Sequence, residues 1–268
     1  MIYALSQVST LPTPFDTDIE EFAASECHAD DVWFTKLEQF LQEHTVEDVQ
    51  RLLEQNDVAI PVASFQGGLL DSQGESRQAA WKLFAERLKL STELAIETVV
   101  VACDVSLLSS STDLQRVQAS LTQAAELAAT HGVRLALEFQ AAARLGNNLQ
   151  SALALIEQTA HPSLGVCLDA FHFETGPSKV ADLSLLTNEN LFVVQLSDLA
   201  EVARELASDS DRILPGDGEL DLASLRNRLT AIDYRGVVTV ELMNPQIWQV
   251  PARQFADVAM NALKRTLA

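Results

Sequence analysis

Four oxygen-bearing side chains stand near the ends of four successive apolar runs in the C-terminal half of the chain. They are Glu138 in VRLALEF, Asp169 in LGVCLDAFHF, Gln195 in LFVVQLSD and Glu241 in GVVTVELMN. A carboxylate placed where a buried strand leaves the core is costly unless it has a partner. A lone acidic residue there reads as a solvated loop group, but recurrence on four neighbouring runs points to convergence. Three carboxylates and a carboxamide bound through its carbonyl make an all-oxygen donor set, which suits a hard cation. One Mg²⁺ or Mn²⁺ per chain is the expectation, with Co²⁺ or Zn²⁺ as softer alternatives, because zinc sites usually contain His or Cys.

Further residues group around these four. His172 lies three positions after Asp169, whereas His28, His44, His131 and His161 fall in helices or connections and read as solvated or capping. Arg212 in DSDRILPGDGELD has acidic neighbours, which suit a surface ion pair, and Pro215, Gly216 and Gly218 supply tight turns beside it. Trp33 and Trp248 follow strand-like runs and are candidates to line a sugar pocket, as are Gln66 and Ser64 at the end of the third run. Trp81 sits inside a helical segment and reads as core.

Eight apolar, β-rich segments are predicted to carry these groups: Ile2–Val8, Asp31–Phe34, Val58–Ser64, Thr98–Cys103, Arg134–Phe139, Leu164–Asp169, Leu191–Leu196 and Val237–Leu242. Helical periodicity fills the intervals at Asp18–Ala24, Lys36–Leu53, Arg77–Leu94, Leu114–Thr130, Asn148–Thr159, Val180–Leu186, Leu222–Ala231 and Pro251–Leu267. Strict alternation at about 33 residues per unit predicts a single α/β domain over residues 1–268, a (β/α)₈ TIM barrel. The later strands are apolar at nearly every position, as strands covered on both faces are. Leu114, Val117, Leu121 and Leu127 form a core-facing stripe, Thr112–Asp113 resembles a helix start, and His131–Gly132 a stop.

Composition excludes several classes. With 38 acidic against 18 basic residues the net charge is −20, a field that repels polyanions, so nucleic acid is not an expected partner. Cys27, Cys103 and Cys167 are odd in number and widely spaced, and read as buried reduced thiols. No apolar stretch reaches the roughly 18 residues of a membrane span, and the N-terminus lacks a signal-peptide pattern. A cytoplasmic location with no membrane partner is the expectation, and a homo-oligomer is left open.

VRLALEF, GVCLDAFHF, VVQLSDL, DRILPGDGELDL and TVELMN resemble the motifs of the xylose isomerase-like barrel superfamily, in its sugar phosphate isomerase/epimerase branch. The resemblance runs through most of the chain and is specific from Glu138 onward. It implies one divalent metal held by Glu138, Asp169, Gln195 and Glu241. It also implies a His172 that contacts substrate oxygens or relays a proton, and a loop that brings Arg212 to the substrate. The third ligand is His in many epimerases of the superfamily. Gln195 departs from that, in common with the branch containing bacterial 3-dehydroshikimate dehydratases.

The chemistry expected is isomerisation or epimerisation of a small keto-sugar or polyol, a polyhydroxy-ketone, through an enediolate, with Glu138 and Glu241 exchanging the proton. Expulsion of a β-hydroxyl from the same carbanion would instead give a lyase of the dehydroshikimate dehydratase type. A non-catalytic sugar-binding barrel is a further alternative. A multi-metal DNA-repair nuclease conflicts with the shortage of His ligands and the negative charge. One basic residue among several acids in the Arg212 loop argues against a phosphorylated substrate.

Overall fold

The apolar runs form eight parallel strands that close on themselves in a computed structural model of the chain, which describes residues 1–106 and 110–268. The strands are β1 (Ile2–Ser6), β2 (Ala29–Trp33), β3 (Ala59–Gln66), β4 (Thr98–Cys103), β5 (Arg134–Phe139), β6 (Leu164–Asp169), β7 (Leu191–Leu196) and β8 (Val237–Val240). Each strand pairs with its neighbour in sequence, and β8 closes the ring on β1 through Ile2↔Val237 to Leu5↔Val240. This is the expected TIM barrel. Among the described residues no helix is long and apolar enough to cross a membrane.

Side chains alternate in and out along each strand. Ala4, Ala29, Val62, Val100, Ala136, Cys167, Val193 and Val237 meet inside the barrel, where small residues on opposing strands let the ring close. Two residues further along, the same inward register delivers Ser6, Asp31, Ser64, Glu138, Asp169, Gln195 and Thr239. The outward register feeds a far larger core between strands and helices, including Leu5, Val99, Val101, Leu135, Leu137, Val194 and Val238.

The helices are α1 (Phe15–Ala24), α2 (Phe34–Phe40), α3 (Val46–Asn56), α4 (Gly74–Glu93), α5 (Ser111–Thr130), α6 (Leu149–Thr159), α7 (Ala170–Thr175), α8 (Leu222–Ala231) and α9 (Ala252–Leu267). Several boundaries differ from the sequence expectation. The single helix expected over Lys36–Leu53 is two, because Thr45 and Asp48 form a reciprocal capping box that starts α3 afresh. Val180–Leu185 is 3₁₀ rather than α, and α5 is capped by Ser110 with Asp113, two residues before Thr112. His131 and Gly132 end α5 as expected, with Gly132 at φ 71°. Strand β1 stops at Ser6 and gives way to a fully buried 3₁₀ turn, Gln7–Thr10. All three cysteines are buried and unpaired, and Trp81 packs edge-on to Phe84 under Arg77, in the core role expected.

The buried turn after β1 is held by a charge. Lys36 ion-pairs with Asp18, and its ammonium also donates to the carbonyls of Gln7 at 3.3 Å and Thr10 at 3.0 Å. Both side chains are almost wholly buried, and burial outweighs the pairing, raising the Asp18 carboxyl to about 7 and lowering Lys36. Removing one partner strands the other's charge in the interior. Asp18→Ala is therefore expected to destabilise the protein by about 3 to 5 kcal/mol in urea unfolding. A loss below about 1 kcal/mol would mean that the pair does not anchor this turn.

Candidate active site

The upper ends of β5 to β8 bring Glu138, Asp169, Gln195 and Glu241 to one place. Glu138 pairs in register with Cys167, Asp169 with Gln195, and Gln195 with Thr239, two residues before Glu241. Strand β8 formally ends at Val240, but Glu241 continues the ladder by donating its N–H to Leu196 O at 3.0 Å. All four are buried: Glu138 6%, Asp169 0%, Gln195 1% and Glu241 4% exposed.

Asp169 has two separate duties. Its Oδ1 accepts from Phe171 N at 2.7 Å and so caps α7, a short helix that was not among the segments expected from the sequence. That fixes the rotamer and turns Oδ2 towards the chamber, 2.7 Å from Arg212 Nη2 but with no hydrogen-bond partner of good geometry. His172, one turn along α7, places Nε2 3.7 Å from Glu138 Oε1 and 4.0 Å from Asp169 Oδ2. Ligand atoms of Glu138, Asp169 and His172 all lie within 4.8 Å of one another, so these three could hold a metal ion. Gln195 is turned differently: its Oε1 accepts from the Cys167 thiol at 3.0 Å and its Nε2 donates to Glu241 Oε1 at 2.8 Å. It would offer an oxygen to the centre only with its amide turned over.

Arg212 enters from a two-residue ribbon in which Asp198–Leu199 pairs antiparallel with Arg212–Ile213. Asp198 ties the following loop down, accepting from Leu199 N and Leu220 N at Oδ1 and from Gly216 N at Oδ2. Gly218 lies so close that a Cβ would stand 2.3 Å from Leu199 O, which excludes any larger residue. The guanidinium is 1% exposed, rests 4.4 Å over the Phe171 ring, and ion-pairs with Asp169, Asp209 (2.8 Å) and Glu241 (3.5 Å). Arg212 is thus a buried guanidinium shared by three carboxylates, and the surface ion pair read from its neighbours is replaced by this.

The electrostatics follow from burial. Burial pushes Glu138 up to about 8, helped by the negative charge of Asp169, while Arg212 opposes. Glu241 is likewise raised well above the usual carboxyl range, by burial first and then by Glu138 and Asp169. Burial would raise Asp169 too, but the adjacent Arg212 and His172 hold it below its ordinary value. Burial lowers His172, with Asp169 pulling the other way.

A chamber of about 120 Å³ opens above this floor, lined by Trp33, Phe65, Glu138, Gln140, His172, Asp209, Arg212, Glu241 and Met243. Trp33 is part of this lining, its ring 5.1 Å from Phe65. Gln66 and Trp248 do not line it. The register of β3 against β4 shifts between Ala63 and Gln66, so Phe65 takes the chamber position while the Gln66 amide binds Gly67 O and Arg87. Trp248 donates its indole N–H to Val8 O at 2.8 Å, bracing the 3₁₀ turn instead. Ser64 donates to Asp31 Oδ1 at 2.7 Å inside the barrel.

Phe65, Gln140, Asp209 and Met243 were missed in the sequence. Gln140 and Met243 each stand two residues after a ligand candidate, a spacing that could have marked them. Asp31 was also missed, although two adjacent acids in ADDVW are unusual in a buried strand. So was Ser9, which accepts from Leu242 N at 2.8 Å and lies with its hydroxyl 3.4 Å from Val240 O, bracketing Glu241.

Residues 22–266 match the family described as xylose isomerase-like TIM barrel. The chain belongs to that family. Within it, the chain is 26% identical over 232 residues to an inosose isomerase of Halalkalibacterium halodurans, covering 84% of this chain and 80% of that protein. It is 29% identical over 208 residues to a 3-dehydroshikimate dehydratase of Pseudomonas putida, covering 76% of this chain but 32% of that longer protein. A crystal structure of the IolI protein with a bound zinc atom superposes with a TM-score of 0.92 at 20% identity, covering 100% of this chain and 98% of that one, which shows the shared fold.

Two expected outcomes follow from the residues around the xylose isomerase-like site. Ser9→Ala leaves Leu242 N–H without its acceptor and should cost about 1 to 3 kcal/mol of stability by urea unfolding, with Ser9→Thr restoring part of it. An unchanged unfolding curve would refute the bracket. Asp31 is wholly buried, and burial raises its carboxyl to about 7, against the hydrogen bonds from Ser64 and Ser6. A carboxyl raised in the folded state stabilises below its unfolded value near 4, and that contribution disappears as pH rises towards 7. Asp31→Asn should therefore flatten the decline in stability between pH 4 and 7, gaining on the order of 2 kcal/mol at pH 7 over wild type. Parallel pH profiles for the two proteins would contradict it.

Proposed function

We propose that the protein is a divalent-metal-dependent isomerase or epimerase acting on a small keto-sugar or polyol-derived ketone. The observation that carries this reading is the pair of buried carboxyls, Glu138 and Glu241, that line one chamber, with burial raising Glu138 to about 8 and Glu241 well above the ordinary carboxyl range. They are joined through His172, Asp169 and Arg212. A substrate carbonyl and its neighbouring hydroxyl seated between them would expose the carbon-bound proton to one carboxylate and the reprotonated centre to the other. His172, which lines the chamber with Nε2 3.7 Å from Glu138 Oε1, can orient a substrate oxygen beside that carboxyl.

Glu138, Asp169, Gln195 and Glu241 are the residues that would hold the metal, with His172 inside the same cluster. The fit is carried by Glu138, Asp169 and His172, whose ligand atoms lie within 4.8 Å of one another, and by Asp169 Oδ2, which is buried beside Arg212 without a hydrogen bond of good geometry; Gln195 would add its oxygen with the amide turned over, and a mainly oxygen donor set favours Mn²⁺ or Mg²⁺. A divalent cation there would stabilise negative charge developing on substrate oxygens. The alternative is a lyase of the dehydroshikimate dehydratase type. Gln195 supports it, as does the similarity to the Pseudomonas putida enzyme. Appearance of a conjugated enone absorbance would identify that outcome. The convergence of buried, raised carboxyls weighs against a silent sugar-binding barrel.

Glu138→Gln and Glu241→Gln keep shape but remove the base. Each should lower turnover by about 10² to 10⁴ on a panel of keto-sugars and inososes, while unfolding stays within about 2 kcal/mol of wild type. Elemental analysis should find about one divalent ion per chain, lost together with activity on chelation. Near-wild-type turnover in both variants would rule out the proposed acid–base pair.

A further inference from the structure

The aromatic wall of the chamber stands on backbone that the barrel ladder does not fully hold. Trp33 pairs in register with Ser64, the last pairing between β2 and β3. Between β3 and β4 the register passes from Ala63↔Val99 to Gln66↔Val101, so Ser64 and Phe65 together face the single residue Val100. Such a bulge re-aims a side chain and leaves backbone groups unpaired. Here it turns the Phe65 ring, 40% exposed, into the chamber beside Trp33.

A guanidinium from outside the chamber takes the place of the missing ladder bond. Arg87 on α4, 8% exposed, donates from Nη1 to Phe65 O at 2.9 Å and to Gln66 Oε1 at 3.3 Å. Its Nε and Nη2 fork onto the two carboxylate oxygens of Glu38 on α2, at 2.6 and 3.0 Å. The same group lies 4.6 Å from the centre of the Phe34 ring, and Phe34 follows Trp33 directly. One planar cation thus grips the Phe65 carbonyl, the side chain next to Trp33, and a carboxylate one turn further along α2. A clasp between α4 and α2 alone would need only the Glu38 fork. The third donor, given to the main chain of a chamber residue, ties that clasp to the site, and a rigid fork fixes directions that a flexible ammonium does not.

We propose that Arg87 is a positioning residue for the active site, setting the spacing and tilt of the Trp33–Phe65 wall without touching substrate. In its consequence for substrate, the inference rests on the isomerase or epimerase reading. Glu138 and Glu241, the proton-exchanging pair of that reading, belong to other strands. A displaced wall therefore weakens the hold on ground state and transition state alike, which raises KM and spares kcat.

The test labels the protein with 5-fluorotryptophan and follows its three tryptophan resonances by fluorine NMR, with Trp33 assigned by its loss in Trp33→Phe. Arg87→Met should shift or broaden the Trp33 resonance, while Trp248, bonded to Val8 O, keeps its own. On the panel of keto-sugars and inososes the same variant should raise KM by about fivefold to tenfold, the size of one aromatic contact, with kcat within about twofold of wild type. A Trp33 resonance that does not move overturns the proposal. So does equal displacement of Trp33 and Trp248, which marks general loosening, or a fall in kcat at unchanged KM. If Arg87→Met does not fold, Arg87→Lys is read in the same way. Its ammonium keeps a charge for Glu38 but cannot fork that carboxylate and reach Phe65 O together, so a wild-type resonance and KM in that variant overturn the proposal. If the wild type turns over nothing on the panel, the isomerase reading falls, and the Trp33 resonance alone decides for or against Arg87.

Discussion

A guanidinium buried among carboxylates is the interaction on which the rest of the site depends. Glu138, Asp169 and Glu241 crowd the mouth of a barrel whose walls are hydrocarbon, and such crowding is tolerated only where a cation is at hand. Arg212 is that cation, brought in by a short ribbon and a loop that Asp198 fastens at three backbone N–H groups. Its uneven reach sorts the carboxyls. Asp169, in close contact, stays ionised, while Glu138 and Glu241, more weakly served, hold protons to higher pH. One guanidinium, 2.7 Å from Asp169 and 3.5 Å from Glu241, thus lowers one carboxyl while the others stay raised.

Positions within the site are set by bonds that serve secondary structure first. Asp169 is fixed because it caps α7, and Glu241 because the backbone on either side of it is held by Ser9. The 3₁₀ turn that carries Ser9 is in turn gripped by the Lys36 ammonium and the Trp248 indole. Rigidity at the chemistry therefore derives from helix caps and a buried turn, a second layer beneath the groups that would touch substrate.

Much of the barrel is legible in the sequence because its later strands are buried on both faces and each carries an oxygen-bearing side chain at or next to its end. That repetition is a stronger signal than any single residue, and Glu138, Asp169, Gln195 and Glu241 do lie together. What escaped depends on tertiary context. LDAFHF stays apolar across the boundary from β6 to α7, so hydropathy alone could not mark the cap. Gln66 was a pocket candidate because it ends the third run, but the register shift in β3 gives that place to Phe65. The Gln195 amide has two chemically different ends, and which end faces Glu241 is decided by Cys167 on the neighbouring strand.

The Ser9 bridge joins positions separated by 233 residues, across the seam where β1 meets β8. A ribosome delivers these two sides of the seam 233 residues apart. Strands β5 to β7 can assemble with their helices as they emerge, yet the backbone around Glu241 has no fixed geometry until the last strand docks on the first. Loop-closure entropy makes such a long-range contact among the slowest to form. A nascent chain stalled before residue 237 would consequently carry three of the four convergent side chains, and neither a closed barrel nor a completed centre.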